Sequence, residues 1–167
     1  MLPAHERLRK SSVFQRAYTG RKSVNSRVVT LYVVPRAKEQ RKAPSKPRLP
    51  FVGFVAAKKV LKSAVSRNRV KRRVREAYRL LTRSLRDGQS PGTLVQNVAE
   101  TPRYKLGQWY VLVFVLHANA LEASWEEILK AVDDCLTKAE TKHGVVRNTP
   151  AQGPARPSGG PTGAKNS

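Results

Sequence analysis

The stretch Phe51–Leu85, FVGFVAAKKVLKSAVSRNRVKRRVREAYRLLTRSL, decides the architecture because the period of its apolar residues changes partway along. Phe51–Ala56 (FVGFVA) is aromatic and β-branched, the composition of a strand. From about Ala64 to Leu85 the period becomes helical. Val70, Val74, Ala77, Tyr78 and Leu81 fall at i, i+4, i+7, i+8 and i+11, so one stripe can face a core. On a helical wheel Asn68, Arg69, Arg72, Arg75 and Arg79 share the opposite, broad face. The segment Lys58–Arg79 carries ten Lys and Arg residues against the single acid Glu76, so it lacks the interleaved carboxylates that support ordinary exposed helices. Folding around such repelling charge costs stability, which is offset when a polyanion condenses on the helix and releases its counterions. Asn68, held between two arginines, suits either ligand contact or a local backbone cap.

Working outward, Val28–Val34 (VVTLYVV) reads as a strand ended by Pro35, and the basic, proline-rich segment 35–50 that follows reads as a loop. A further strand is allowed near that loop. Upstream, Ser11 or Ser12 precedes Val13, Phe14, Ala17 and Tyr18, with Gly20 beyond, which predicts a short amphipathic helix with a serine cap and a glycine stop. Downstream, residues 87–107 show no sustained period and read as an insertion or long loop. Trp109–Leu116 (WYVLVFVL) is continuously apolar, as a central strand covered on both faces would be. Ser124 and Glu127 then form a capping box for a last helix whose apolar stripe is Trp125, Ile128, Leu129, Val132 and Leu136. Residues 143–167 are rich in Gly, Pro and Ser and read as a disordered tail behind a single domain over 1–142. The order helix, strand, strand, helix, strand, helix gives an α/β class: a small mixed sheet packed by helices in an α+β sandwich.

Charge narrows the function classes. With 33 Lys and Arg against 11 Asp and Glu, the 167-residue chain has a formal net charge of +22, which points to a nucleic acid partner. Six of the eleven acids lie between Glu122 and Glu140, so the binding surface is expected on the earlier, basic elements. One cysteine, Cys135, excludes an internal disulfide framework and reads as a small core residue. No apolar run is long enough to cross a bilayer, so no membrane association is expected. A protein-only metal nuclease needs several converging carboxylates. Here acids are scarce, and the adjacent Asp133 and Asp134 point apart and read as solvated; no catalytic and no metal-ligating residue is assigned. His5, His117 and His143 are far apart and lack motif context.

The segment Arg67–Glu76, RNRVKRRVRE, closely resembles the signature of the bacterial ribonuclease P protein family, preceded by the basic pair Lys58-Lys59 and by Ala64-Val65. The likeness extends to Leu8–Tyr18, LRKSSVFQRAY, and to the strand near Tyr32, covering roughly Leu2 to Ala139. It departs at Leu61-Lys62, where many members have a glycine, and in the length of the 87–107 stretch. The resemblance implies a left-handed crossover between parallel strands, against the usual right-handed rule. It implies contact of Arg67, Asn68, Arg69, Lys71, Arg72 and Arg75 with the catalytic RNA. It also implies a cleft for the single-stranded 5′ leader of precursor tRNA, with Phe14, Tyr18 and Tyr32 as stacking positions and Lys58 and Lys59 at the rim. The expected activity is then assistance to endonucleolytic removal of the leader, the RNA subunit doing the chemistry with Mg²⁺. No cofactor is expected on the protein alone, no obligate protein partner, and a cytoplasmic location. The alternative from residues alone is a ribosomal or other structural RNA-binding protein.

Overall fold

Two periods of apolar residues become four strands and three helices in a computed structural model that describes residues 2–37, 49–83, 85 and 104–144. The strands are β1 (Ser23–Asn25), β2 (Val29–Pro35), β3 (Phe51–Ala56) and β4 (Trp109–Leu116), and the helices are α1 (Ser11–Thr19), α2 (Ala64–Leu81) and α3 (Trp125–His143). They form one mixed sheet in the order β1-β2-β4-β3. β1 and β2 are antiparallel neighbours, β2 and β4 likewise, and β3 runs parallel to β4, to which α2 connects it. β4 is thus the paired central strand that its continuous apolar run requires, since both of its faces are covered.

Strand alternation sorts the side chains onto two faces. Leu31 and Val33 of β2, Val52 of β3 and Leu112, Phe114 and Leu116 of β4 join Val70, Val74, Ala77 and Tyr78 of α2 and Ile128, Val132, Cys135 and Leu136 of α3 in the main core. The opposite face carries a smaller cluster of Val34, Val111 and Val113 closed by Ala17 of α1. A register step between Val34 and Pro35 pairs them with Val111 and Trp109, so β4 holds one extra residue there. This bulge sends Trp109 into the main core while Tyr110 joins Val111 on the α1 face.

Several expectations need correction. The additional strand among the described residues is β1, ahead of β2, and Ser-Val-Asn is too short to show an alternating pattern; the reading of a strand near the basic loop falls on 38–48, outside the described residues. Helix α1 starts at Ser11 itself with Lys10 at the cap position, and no side chain caps it. Gly20 closes α1 in right-handed backbone geometry, and the positive φ falls one residue later, at Arg21 (φ 50°). Trp125 is 38% exposed and outside the core, because it occupies the first residue of α3, a turn before the helix reaches the sheet at Ile128.

The expected loops are also more structural at their ends than their composition suggests. Residues 38–48 of the basic loop and 87–103 of the insertion lie outside the described residues. Yet Pro35 belongs to β2, and Arg36 is buried, donating from Nε to the Gly107 carbonyl (3.3 Å) and from Nη2 to that of Trp109 (3.1 Å). Tyr104 and Leu106, inside the stretch read as insertion, are core residues. Tyr104 donates its hydroxyl to Asp133, so that acid is not the solvated group expected from sequence. The Lys105 N–H donates to Glu140, whose carboxyl is pushed up by burial against the opposing pull of that bond and of the lysine charge. The capping box of α3 is present, the Ser124 and Glu127 side chains accepting from each other's backbone N–H. The helix runs through His143, one residue past the expected domain end, and residues 145–167 lie outside the described residues.

Candidate nucleic-acid interface

Helix α2 begins where its sequence first offers a cap. β3 leaves the sheet into a turn in which the N–H groups of Val60 and Leu61 both donate to the Ala57 carbonyl, and the buried Leu61 pins the turn to the core. Lys58 and Lys59 project from this turn and are exposed. Ser63 then accepts from the Ser66 N–H and starts the helix. Four buried residues, Val70, Val74, Ala77 and Tyr78, seat it on the sheet, as their spacing predicts.

The arginines of α2 divide into two populations that the sequence does not separate. Arg67 donates through Nη1 to the carbonyls of Leu61 (2.9 Å) and Lys62 (2.7 Å), bracing the turn ahead of its own helix. Arg73 donates to the Ala123 carbonyl (2.7 Å), tying α2 to the entry of α3. Arg75 lies over the Phe54 ring, its guanidinium carbon 5.7 Å from the centroid. Arg79 pairs with Glu76 one turn back, and this hydrogen bond, with the arginine charge, holds the Glu76 carboxyl below the usual glutamate range against a smaller desolvation penalty. Arg69 and Arg72 are exposed and make no hydrogen bond or ion pair among the described residues. Asn68 is exposed beside them, and Lys71 is half-buried. Of the six expected RNA-contact residues, three therefore form an open flank: Asn68, Arg69 and Arg72. Lys71 borders it, while Arg67 and Arg75 also serve the fold.

The second region lies across the sheet. Phe14 of α1 sits directly over Gly53 of β3, where a Cβ would come within 2.5 Å of its ring. Gly53 faces Val113, and Val113 faces Tyr32, so one row across three strands carries Phe14 over one end and Tyr32 at the other. The Tyr18 and Tyr32 rings meet edge to face with centroids 5.0 Å apart. Burial, and secondarily Tyr32, pushes the Tyr18 phenol up, so its hydroxyl stays protonated and available to donate. The structure thus brings Phe14, Tyr18 and Tyr32 together on one face. The bulge adds a pair that the sequence reading missed, Phe51 and Tyr110, with centroids 5.7 Å apart on the same face. Their signal was hidden because a continuously apolar run does not reveal which way a residue points.

The two regions lie on opposite faces of the sheet, and the Lys58-Lys59 turn joins β3, which floors one, to α2, which carries the other. Among the histidines, His117 is held between the Thr30 hydroxyl (2.8 Å) and the Arg27 carbonyl (3.2 Å), and His143 approaches the Ser23 carbonyl (3.2 Å). No three His, Cys, Asp or Glu residues gather as a metal-ligand set among the described residues, and no described helix is long and apolar enough to cross a membrane.

Comparison with known proteins agrees with this geometry. A family profile described as Ribonuclease P matches residues 2–140. The ribonuclease P protein component of Synechococcus sp. (strain JA-2-3B'a(2-13)) is 33% identical over 159 residues, covering 95% of this chain and all of that protein. Among solved structures, the RNase P protein of Staphylococcus aureus superposes with a TM-score of 0.53 at 21% identity, covering 81% of this chain and 95% of the other. That of Thermotoga maritima gives 0.54 at 17% identity, covering 80% and 96%. At these identities the structural likeness establishes the fold.

Proposed function

The chain belongs to the ribonuclease P protein family, the protein subunit of the enzyme that matures the 5′ end of tRNA, and from that membership we propose a division of labour between its two surfaces. The open flank of α2, Asn68, Arg69 and Arg72 bordered by Lys71, faces the catalytic RNA. Arg67 and Arg75 contribute there with the donors that the fold leaves over. The α1 face takes the single-stranded 5′ leader of precursor tRNA, unpaired bases stacking on Phe14, Tyr18 and Tyr32 and continuing toward Phe51 and Tyr110. Lys58 and Lys59 hold phosphates at the turn between them. The observation that carries this reading is the pair Arg69 and Arg72, exposed on a helix and without a hydrogen-bond or ion-pair partner among the described residues.

Phosphate recognition needs forked, permanently charged donors, and arginine supplies them at low desolvation cost. Leader recognition needs flat apolar surfaces with donors at their rim, which the tyrosines provide. The described side chains hold no set of His, Cys, Asp or Glu that fits a catalytic metal. Hydrolysis belongs to the RNA subunit with Mg²⁺, and this protein, working in the cytoplasm, lowers RNA self-repulsion and fixes the leader.

The test is reconstitution. Purified protein added to ribonuclease P RNA at low Mg²⁺ restores cleavage of precursor tRNA. Loss of Arg69 or Arg72 lowers the steepness of the logarithmic salt dependence of RNA binding by up to about 0.7 to 0.9 per phosphate contact. An unchanged slope in both variants removes α2 from the RNA interface.

A further inference from the structure

Val65 is 77% exposed, more than any other large apolar side chain among the described residues, and it does not belong to either core cluster. It lies one helical turn ahead of Asn68 and Arg69. With Asn68, Arg69, Arg72 and Arg73 it lines a shallow depression on α2. A β-branched residue at an exposed helix position is less favourable than alanine, so neither packing nor helix propensity accounts for it. A purely phosphate-binding surface gives it no part either, since phosphates are recognised by charge and donors. The four other walls are polar or basic and none is acidic, so the depression is complementary to an anion that also presents an apolar surface.

We infer that this depression takes one unpaired nucleotide of the RNA, its base lying against Val65 while its flanking phosphates meet Arg69 and Arg72. Paired RNA hides its base faces in the stack and displays hydroxyls, phosphates and base edges, so an exposed apolar contact selects a nucleotide outside a helix. Asn68, with one amide acceptor and two donors, stands where it can pair with the edge of that base. The inference rests on α2 facing RNA and adds the state of the nucleotide that it meets.

The experiment measures binding of ribonuclease P RNA to the full-length chain, to Val65→Ala and to Arg69→Gln across a salt series, with thermal melts to show that each variant folds. Alanine at position 65 favours the helix, so the fold is kept. Removing the two methyl groups weakens binding about three- to tenfold without altering the salt slope, because no phosphate contact is lost. Arg69→Gln lowers the slope. Val65→Ala also weakens binding of a short single-stranded RNA and leaves that of a duplex of the same sequence unchanged. If Val65→Ala binds as the unaltered chain does while Arg69→Gln flattens the slope, this inference falls and the RNA-facing role of α2 stands. If Arg69→Gln leaves the slope unchanged, the underlying role falls. Equal weakening on duplex and single strand overturns the assignment to an unpaired nucleotide, and weakening confined to an acidic peptide competitor overturns RNA as the occupant.

Discussion

Gly53→Ala tests whether the α1 face depends on one missing side chain. The added Cβ would lie 2.5 Å from Phe14 Cε1, 2.7 Å from Cζ and 3.3 Å from Leu8 Cδ2. Carbon atoms pack at about 3.5 to 4.0 Å, so the Phe14 ring must retreat by about 1 Å or more. The backbone of Gly53 is not left-handed, so alanine gains about 0.4 to 1 kcal/mol by restricting the unfolded chain. Overpacking costs about 1 to 3 kcal/mol, and the half-buried ring can give part of that back by swinging outward. The net is a loss of about 1 kcal/mol, seen as a fall of about 3 to 4 °C in Tm for a domain of this size. Displacing the ring also removes a stacking surface worth about 1 to 3 kcal/mol per base, so affinity for precursor tRNA should fall about tenfold while that for leaderless tRNA is kept. Phe14→Leu in the Gly53→Ala background relieves the clash, and a double-mutant cycle in melting should return a favourable coupling of about 1 kcal/mol. Strict additivity of the two changes, or a leader affinity untouched by Gly53→Ala, would refute the reasoning.

Two further outcomes separate structural from binding groups. Arg67→Gln should cost about 1 to 2 kcal/mol in thermal or urea unfolding, since it removes charge-assisted bonds to the Leu61 and Lys62 carbonyls, while Arg69→Gln should stay within about 0.5 kcal/mol. Burial raises the Glu140 carboxyl, so the folded chain holds a proton that the unfolded chain has released. The stability due to this group is full below the ordinary glutamate value and is lost as pH rises through the folded one. Glu140→Gln keeps an acceptor for the Lys105 N–H and should remove that loss, so urea midpoints of variant and unaltered chain should diverge in the variant's favour as pH rises above the ordinary glutamate value.

Much of the fold was legible because its long elements obey one period each. Phe51–Ala56 and Trp109–Leu116 are found with the bounds that their composition sets, and Val70, Val74, Ala77 and Tyr78 are buried as their spacing requires. Local chemistry was legible where it closes within a few residues, as in the Ser124 and Glu127 box. It failed where partners are distant. Nothing near Arg36 announces that it will bond to Gly107 and Trp109, and nothing near Tyr104 announces Asp133. The aromatic positions Phe14, Tyr18 and Tyr32 were found through family likeness, whereas Phe51 and Tyr110 depend on a bulge that only strand pairing creates.

The same distinction explains how a helix so basic can stand in a folded protein. Arg67, Arg73 and Arg79 each bind a carbonyl or a carboxylate of the chain, and Arg75 rests on an aromatic ring. Each is held in a fixed direction, and their interactions offset part of the repulsion that ten cations with one acid would otherwise impose. Of the arginines on the helix, Arg69 and Arg72 are left without a partner among the described residues, and with Asn68 they form a short row on a helix that Arg67 braces to the turn after β3 and Arg73 ties to the entry of α3. β3 also floors the aromatic face, with Leu61 pinning the turn that joins the two. A ligand bound at α2 and one bound at α1 would therefore be held in a fixed relation by a single strand and turn. On the proposed division of labour, the chain would contribute to the reaction by setting the distance between the RNA bound at α2 and the RNA bound at α1.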